Sequence, residues 1–310
     1  MLPSLASNGM EALTDQEIKE IEKRALAIRE TILEMLVAAG SGHTAGPLGM
    51  ADIFAALYAR VLKHDPKNPD WDERDRLILS NGHIVPVRYA AMAHAGYFPV
   101  EECLTLRKFG SRLQGHPERE RLPGLETTSG PLGSGLSQAA GIAYAVRMDP
   151  IRDASRSNGA GGGHSRDIRV FCVMSDGEHD CGNTWEAVMF AGANRLYNLT
   201  GIIDRNNIQI DGYTESVMPL EPLRAKYEAF GWHVLEVDGH NVAHIVAACE
   251  EAAAVYEKPS VIIAHTIPGK GVREIERDYR WHGKPPNKEE AAVFLNELRT
   301  LQGKVVGEHQ

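Results

Sequence analysis

The second half of the chain alternates short apolar runs with helical patterns, and this alternation limits the possible folds more than any other feature. The apolar runs are short and rich in β-branched residues, and segments of helical length separate them. We predict strands near 168–174, 199–204, 233–237 and 261–265, with helices over 183–196, 220–230 and 242–256. Such an order favours an α/β fold, with a parallel sheet covered by helices on both faces.

The first half of the chain adds helices and one further strand. Thr14 and Glu17 have the spacing of a capping box, and apolar residues then recur at helical intervals until Gly40. This pattern predicts an N-terminal helical extension over about residues 1–40, followed by a glycine-rich loop. We also predict helices over about 51–62 and 136–148 and a short strand over 77–79. The length of 310 residues and an ordinary composition fit one domain over 1–310.

One segment, from about residue 152 to residue 166, has a biased composition. It is rich in glycine and serine and contains three consecutive glycines. Such a composition is typical of a flexible surface loop, here between a helix and a strand.

The charge and the cysteines exclude several classes of protein. The net charge is −9, which argues against nucleic acid or an anionic membrane as a partner. The sequence shows neither the features of a signal peptide nor a run of about 18 apolar residues that could span a membrane. The 4 cysteines lack zinc-ligand or redox spacing. We therefore expect a cytoplasmic protein.

Two polar residues follow neighbouring predicted strands and indicate a metal site. Asp176 comes directly after the strand that ends near 174, and Asn206 follows the next strand, 30 residues later. Because the carboxyl ends of adjacent parallel strands meet at one sheet edge, these side chains are expected to lie close together. Carboxylate and amide oxygens suit Mg²⁺, and Gly177 would let a phosphate approach the backbone. The same residues also fit an ordinary Asp-Gly turn and loop.

Glycine-flanked histidines and a glycine-rich loop suggest a ligand cleft. Histidines lie beside glycine in four predicted loops, at His43, His83, His116 and His282. Neutral imidazoles in such loops could bind sugar hydroxyls or transfer protons, although a single loop histidine is usually only solvated. Residues 127–135 open a predicted helix and could cradle an anion, or form a tight turn.

Taken together, these segments resemble the thiamine-diphosphate-binding domain of transketolases. The resemblance covers about residues 14–290, and its eight segments occur in the family's order. They are SGHTAGPLG at 41–49, NGH at 81–83, GHPE at 115–118, SGPLGSG at 129–135, SDG at 175–177, NNIQIDG at 206–212, DGHN at 238–241, and GKGV with WHG within 269–283.

The resemblance implies two cofactors, thiamine diphosphate and Mg²⁺, and a role for each matching residue. Asp176, Asn206 and the carbonyl of Ile208 would bind Mg²⁺. The diphosphate would contact Gly177 and His83, and the cofactor rings would lie against Gly130, Pro131 and Leu132, with His282 also near the cofactor. His43 and His282 would flank the substrate hydroxyl that loses its proton, and His116 would hold the hydroxyl of the transferred two-carbon unit.

The length indicates how the active site is completed. A full transketolase resembles three consecutive domains in one chain, and this chain ends after the first. The resemblance therefore implies the N-terminal subunit of a split transketolase, with a C-terminal partner that supplies the pyrimidine-binding and C-terminal domains. An α₂β₂ assembly acting on sugar phosphates is expected, and the donor and acceptor sugars stay open.

Three departures from the family pattern affect this interpretation. Ser175 replaces a frequent glycine, and Thr44-Ala45 replaces a more usual Pro-Gly pair beside His43. Cys181 stands where the family usually has a glutamate between paired active sites, although Glu186 keeps a second acidic position. Coupling between paired sites is therefore in doubt.

Two alternatives to transketolase activity follow from the same residues. One keeps the cofactor and changes the reaction, as in a 1-deoxyxylulose-phosphate-synthase-like chain or a 2-oxo-acid dehydrogenase component. The other is a non-catalytic scaffold subunit that retains the fold. GHPE and WHG favour transketolase because a sugar site needs many hydrogen-bonding histidines.

Overall fold

A five-stranded, fully parallel sheet organises the chain in the computed structural model, which describes residues 13–156 and 168–300. Its strands, in the order β1-β2-β3-β7-β6, are β1 Arg76–Leu79, β2 Val170–Ser175, β3 Leu199–Arg205, β6 His233–Asp238 and β7 Ser260–His265. Two short strands, β4 Ile208–Gln209 and β5 Gly212–Tyr213, form a separate antiparallel hairpin directly after β3. All five strands of the main sheet therefore end at the same edge.

Ten α-helices accompany the strands in the described parts of the chain. They are α1 Asp15–Ala39, α2 Ala45–Gly49, α3 Ala51–Ala56, α4 Val85–His94, α5 Ser134–Arg156, α6 Gly182–Ala193, α7 Thr214–Val217, α8 Leu223–Ala229, α9 Val242–Ala254 and α10 Lys288–Thr300. The predicted capping box of α1 is confirmed, since Thr14 and Glu17 each bond the other's backbone N–H. No helix of the described residues is long and apolar enough to cross a membrane.

The helices pack on both faces of the sheet, as predicted. One hydrophobic core contains side chains of α1, α3, α4 and α9, and a second contains side chains of α5, α6 and α8. Every residue of β2 and β3 is buried, because these central strands have a neighbour on each side and helices above and below. The sheet is thus a rigid base for the loops at its carboxyl edge.

The structure corrects two local predictions. Residues 152–156, predicted to begin the flexible loop, continue α5 to Arg156, whereas the rest of that loop lies outside the described residues. Residues 45–49, predicted to be loop, form the short helix α2. The helix α2 was not predicted because two of its five residues are glycine, which is a poor helix former. The helices α4 and α10 were not predicted.

A buried ion pair ties the N-terminal helices to the sheet. Arg29 of α1 donates two hydrogen bonds to Asp52 of α3, at 3.0 and 2.6 Å. His240, after β6, lies 2.8 Å from the same carboxylate through Nδ1. Since the Ile267 N–H donates to Nε2 of His240, the imidazole carries its proton on Nδ1 and donates it to Asp52.

Replacing Asp52 with alanine is expected to lower the free energy of unfolding by about 3–5 kcal/mol, because Arg29 is left buried without its anion. Burial opposes ionisation, yet the Arg29 guanidinium lowers the pKa of Asp52 to about 2. In the unfolded chain the carboxyl of an aspartate has a pKa near 3.9. The stabilisation from ionised Asp52 is therefore present above about pH 4 and is lost as the pH falls towards 2. Urea denaturation across this pH range measures it. Glu228, which forms an exposed ion pair with Arg224, provides the control. Equal losses in the free energy of unfolding for Glu228→Ala and Asp52→Ala would contradict the prediction.

Candidate active site

A cleft of about 300 Å³ opens at the carboxyl edge of the sheet. The loops after β1, β2 and β3 reach it, together with the loops that carry His43 and His282. Its lining residues are His43, Gly46, His83, His116, Gly130, Leu132, Ser175, Gly177, Asn206, Ile208, Gln209, Ile210, Asp211 and His282. This is the position at which open parallel sheets bind ligands.

Three histidines from separate loops meet on one side of the cleft. The ring centroids of His43 and His83 are 4.8 Å apart, and that of His282 lies 5.4 Å from His43 and 5.2 Å from His83. The buried Nδ1 atoms of His43 and His282 have no hydrogen-bond partner among the described residues. Buried polar atoms normally have partners, so these two nitrogens indicate that a bound molecule completes the cleft.

All four cleft histidines are held in the neutral form. Burial lowers the pKa of His43 to about 4, helped by its neighbours His282 and Arg107. Burial likewise lowers the pKa values of His83, His116 and His282. At neutral pH these imidazoles can therefore both donate and accept hydrogen bonds.

Gly82 allows the loops around His116 to approach each other closely. A Cβ atom at this position would collide with the Ser129 hydroxyl and would lie 3.2 Å from Cδ2 of His116. A larger residue would therefore push His116 and the loop after Ser129 away from the cleft. The glycine beside His83 is thus required by packing.

Asp176 lies beneath the cleft and is completely buried. Its Oδ2 accepts hydrogen bonds from Arg205 Nη1 at 3.1 Å and from the Asn207 N–H at 2.7 Å. Its Oδ1 accepts from the Gly177 N–H at 2.8 Å, which leaves lone-pair capacity on this oxygen. Burial raises the pKa of Asp176 to about 6 and Arg205 limits the rise, so the carboxylate is mostly ionised at pH 7.

Asn206 is held in one orientation by two buried groups. Its Nδ2 donates to Asp204 Oδ2 at 2.8 Å, and its Oδ1 accepts from the Ile208 N–H at 3.0 Å. The Thr266 hydroxyl donates to the other oxygen of Asp204. The amide oxygen of Asn206 therefore faces Ile208, which lines the cleft.

The structure brings most of the predicted site residues into this one cleft. Asp176 and Pro131 are not part of its lining, since Asp176 lies below it and Pro131 sits between two lining residues, Gly130 and Leu132. Ser175, Gln209 and the hairpin residues Ile210 and Asp211 were not predicted. They lie within the segments SDG at 175–177 and NNIQIDG at 206–212, but the resemblance gave them no role of their own.

Two buried charged residues around the site were also missed. Arg205 bonds Asp176 together with Thr214, Glu215 and Glu221, and Glu178 accepts hydrogen bonds from three separate segments. Cys181 is half-buried at the start of α6, and Glu186 is exposed on that helix.

The sequence as a whole decides the family to which this cleft belongs. A family model described as "Transketolase, thiamine diphosphate binding domain" matches residues 21–300. The chain belongs to the transketolase family. The predicted family and fold are thus confirmed, and the cofactor of this family domain is thiamine diphosphate.

Transketolase subunits of similar length are among its relatives. The chain is 44% identical over 286 residues to the 6-deoxy-6-sulfo-D-fructose transketolase subunit of a Clostridium species, covering 92% of this chain and 98% of the relative. It is 35% identical to an apulose-4-phosphate transketolase subunit of Phocaeicola vulgatus, covering 91% and 95%. The predicted N-terminal subunit of a split transketolase is thereby confirmed.

Longer transketolases contain a region that is similar to this chain. Transketolase 1 of Escherichia coli is 38% identical, and the match covers 88% of this chain and 41% of the relative. The structure of transketolase from Leishmania mexicana superposes with a TM-score of 0.83 at 35% identity, covering 90% of this chain and 41% of the other. The chain thus spans less than half of these longer transketolases. The relatives described here are transketolases, which favours ketol transfer over the two alternatives.

Proposed function

We propose that the chain supplies the diphosphate-binding half of a ketol-transfer active site, and that a C-terminal partner subunit supplies the other half. The observation that carries this proposal is the cleft itself, which neutral histidines line together with Asn206 and Ile208 at the edge of the sheet. The reaction moves a two-carbon ketol unit from a ketose to an aldose.

Mg²⁺ would bind oxygens at the floor of the cleft. The donors are Oδ1 of Asp176, Oδ1 of Asn206 and the carbonyl of Ile208, which are the hard oxygens that Mg²⁺ prefers. Among the described residues, no group of three or more His, Cys, Asp or Glu side chains could hold a metal. With one carboxylate, one amide and one carbonyl oxygen from the protein, Mg²⁺ would take its other ligands from the diphosphate and from water.

The cofactor would lie between this metal and the glycine-rich loop. Gly177 and His83 line the cleft where the diphosphate would reach the metal. Gly130 and Leu132 also line it, with Pro131 between them in the chain, and the cofactor rings would pack against this loop. When bound, thiamine diphosphate supplies the electron sink for carbon–carbon cleavage. The protein contributes the position of the cofactor and the transfer of protons.

The histidines would bind and deprotonate the sugar. His43 and His282 contact each other edge to face and have unpartnered nitrogens, which supports a role in proton transfer at a substrate hydroxyl. His116 is exposed at the cleft, where it could hold a hydroxyl of the two-carbon unit. The ring of His282 lies 5.2 Å from that of His83, which supports a place for His282 near the cofactor as well.

The substrates are proposed to be sugars with an anionic end. One relative is named for a sulfonated ketose and another for a sugar phosphate. Both names share a charged group at the end remote from the ketol unit. We propose a donor of this type, a sugar phosphate or a sulfo-sugar, held at its charged end by the partner subunit in an α₂β₂ assembly.

The purified chain alone is expected to show no ketol transfer when supplied with thiamine diphosphate and Mg²⁺, whereas its complex with the proposed C-terminal subunit is expected to be active. A coupled assay over a panel of ketose phosphates and sulfo-ketoses measures this. Turnover by the single chain, free of host enzyme, would exclude the split active site. An inactive complex that still binds cofactor would favour the scaffold alternative.

A further inference from the structure

Glu178 is a buried carboxylate that connects three segments around the cleft. It lies in the short 3₁₀ turn after Asp176 and is completely buried. Its Oε1 accepts hydrogen bonds from the Ser80 hydroxyl and from the Gly133 N–H, the latter at 3.2 Å. Its Oε2 accepts from the N–H of Ser175 at 2.8 Å and from the Ser175 hydroxyl at 3.2 Å.

The hydrogen bonds of this network are consistent with one arrangement of protons. The Gly135 N–H donates to the Ser80 hydroxyl oxygen at 3.1 Å, so the Ser80 proton is free to point at Glu178. The Ser175 hydroxyl likewise accepts from the Glu178 N–H and donates to its carboxylate. Four donors therefore surround the two carboxylate oxygens, as an ionised carboxylate requires.

The same network holds the glycine-rich loop that borders the cleft. Gly133 has a φ of +81°, which suits glycine, and a Cβ atom at Gly135 would collide with Ser80. Gly130 and Leu132, on the same loop, line the cleft. The loop thus reaches its position by close backbone approach, and Glu178 and Ser80 bind the amides that make this approach.

We infer that Glu178 is a positioning residue, which sets the place of the loop 130–135 against the bound cofactor without touching the cofactor itself. This inference rests on the proposed cofactor site. Glutamate is needed at position 178 because each carboxylate oxygen faces a backbone N–H, and a backbone N–H can only donate. A glutamine would turn its NH₂ group towards one of these N–H groups in either orientation.

Glu178→Gln should affect the loop more than the strand. The bond from Gly133 is longer than the bond from Ser175, so the NH₂ group is expected to face Gly133 and displace the loop. Hydrogen exchange on the full chain, followed by mass spectrometry of peptides over 127–140, measures this. The amides of Gly133 and Gly135 are expected to exchange about tenfold faster than in the wild type.

Leu298→Ala is the control for a general loss of stability. Leu298 is completely buried in α10, packs in the core with α1 and does not line the cleft. In the complex with the partner subunit, the Kd for thiamine diphosphate in Mg²⁺ should rise about tenfold in Glu178→Gln and stay unchanged in Leu298→Ala. A merely structural role would lower Tm in both variants and leave both Kd values at the wild-type level.

Ser80→Ala provides a second route if Glu178→Gln does not fold. This variant keeps the carboxylate but removes both the hydroxyl that donates to Glu178 and the oxygen that accepts from Gly135. Faster hydrogen exchange at Gly135 and weaker binding of thiamine diphosphate are therefore expected. Wild-type exchange and wild-type Kd in the variants that fold would overturn the inference. A wild-type complex that binds no thiamine diphosphate would instead refute the proposed function, and the exchange measurement would still decide whether Glu178 holds the loop.

Discussion

Asp176→Ala is expected to weaken thiamine diphosphate binding in Mg²⁺ by at least about 10²-fold, or roughly 2.7 kcal/mol. The diphosphate is highly anionic and the chain has a net charge of −9, so a carboxylate alone would repel the ligand. A metal ion turns this repulsion into attraction, because the carboxylate binds the metal and the metal binds the phosphates. Isothermal titration of the two-subunit complex measures the change.

The structure indicates that this variant will fold. Arg205 keeps two other carboxylates, Glu215 and Glu221, at 2.7 and 3.0 Å, so losing Asp176 does not leave a buried cation unpaired. Glu215→Gln is the matched control, since it removes a charge from the same guanidinium but no oxygen from the cleft. EDTA should weaken cofactor binding by the wild type as strongly as the substitution does, with an unchanged circular dichroism spectrum. Tight, Mg²⁺-independent binding by Asp176→Ala would remove the basis for the metal assignment.

Alanine at His43, His116 or His282 is expected to lower kcat/KM of the complex by about 10²–10⁴, the usual effect of losing a positioned acid–base group. The rings of His43 and His282 are half-buried, neutral and in contact at the cleft, and alanine removes the only group at either position that could hold or transfer a proton. Steady-state kinetics with a saturating acceptor measures the loss. Cofactor affinity should change less than turnover at His43 and His116.

His265→Ala is the control for these substitutions. His265 is exposed at the end of β7, pairs with Glu236 and does not line the cleft. Its loss should leave kcat/KM close to that of the wild type. Wild-type kinetics in all three cleft variants would show that these are ordinary loop histidines.

The elements that sequence patterns predicted well are those with strong local periodicity. All five strands of the main sheet and helices α1, α6 and α9 lie close to their predicted positions, because apolar spacing is a local property of the chain. The C-terminal end of α5 was missed because the glycine- and serine-rich composition after residue 151 resembles a loop. The order of strands was not predicted, since pairing β3 with β7 depends on contacts across about 60 residues.

The sequence by itself determined the family, the cofactor and the candidate residues. Each motif is a short run whose residue types and spacing can be recognised without knowledge of the fold. Only the tertiary structure decided which of them meet. His43 and His282 lie in distant loops, yet their rings are 5.4 Å apart. Sequence patterns did not identify Arg205 and Glu178 at all. Their roles follow from buried hydrogen bonds to groups far along the chain, and such bonds depend on packing, which no local pattern encodes.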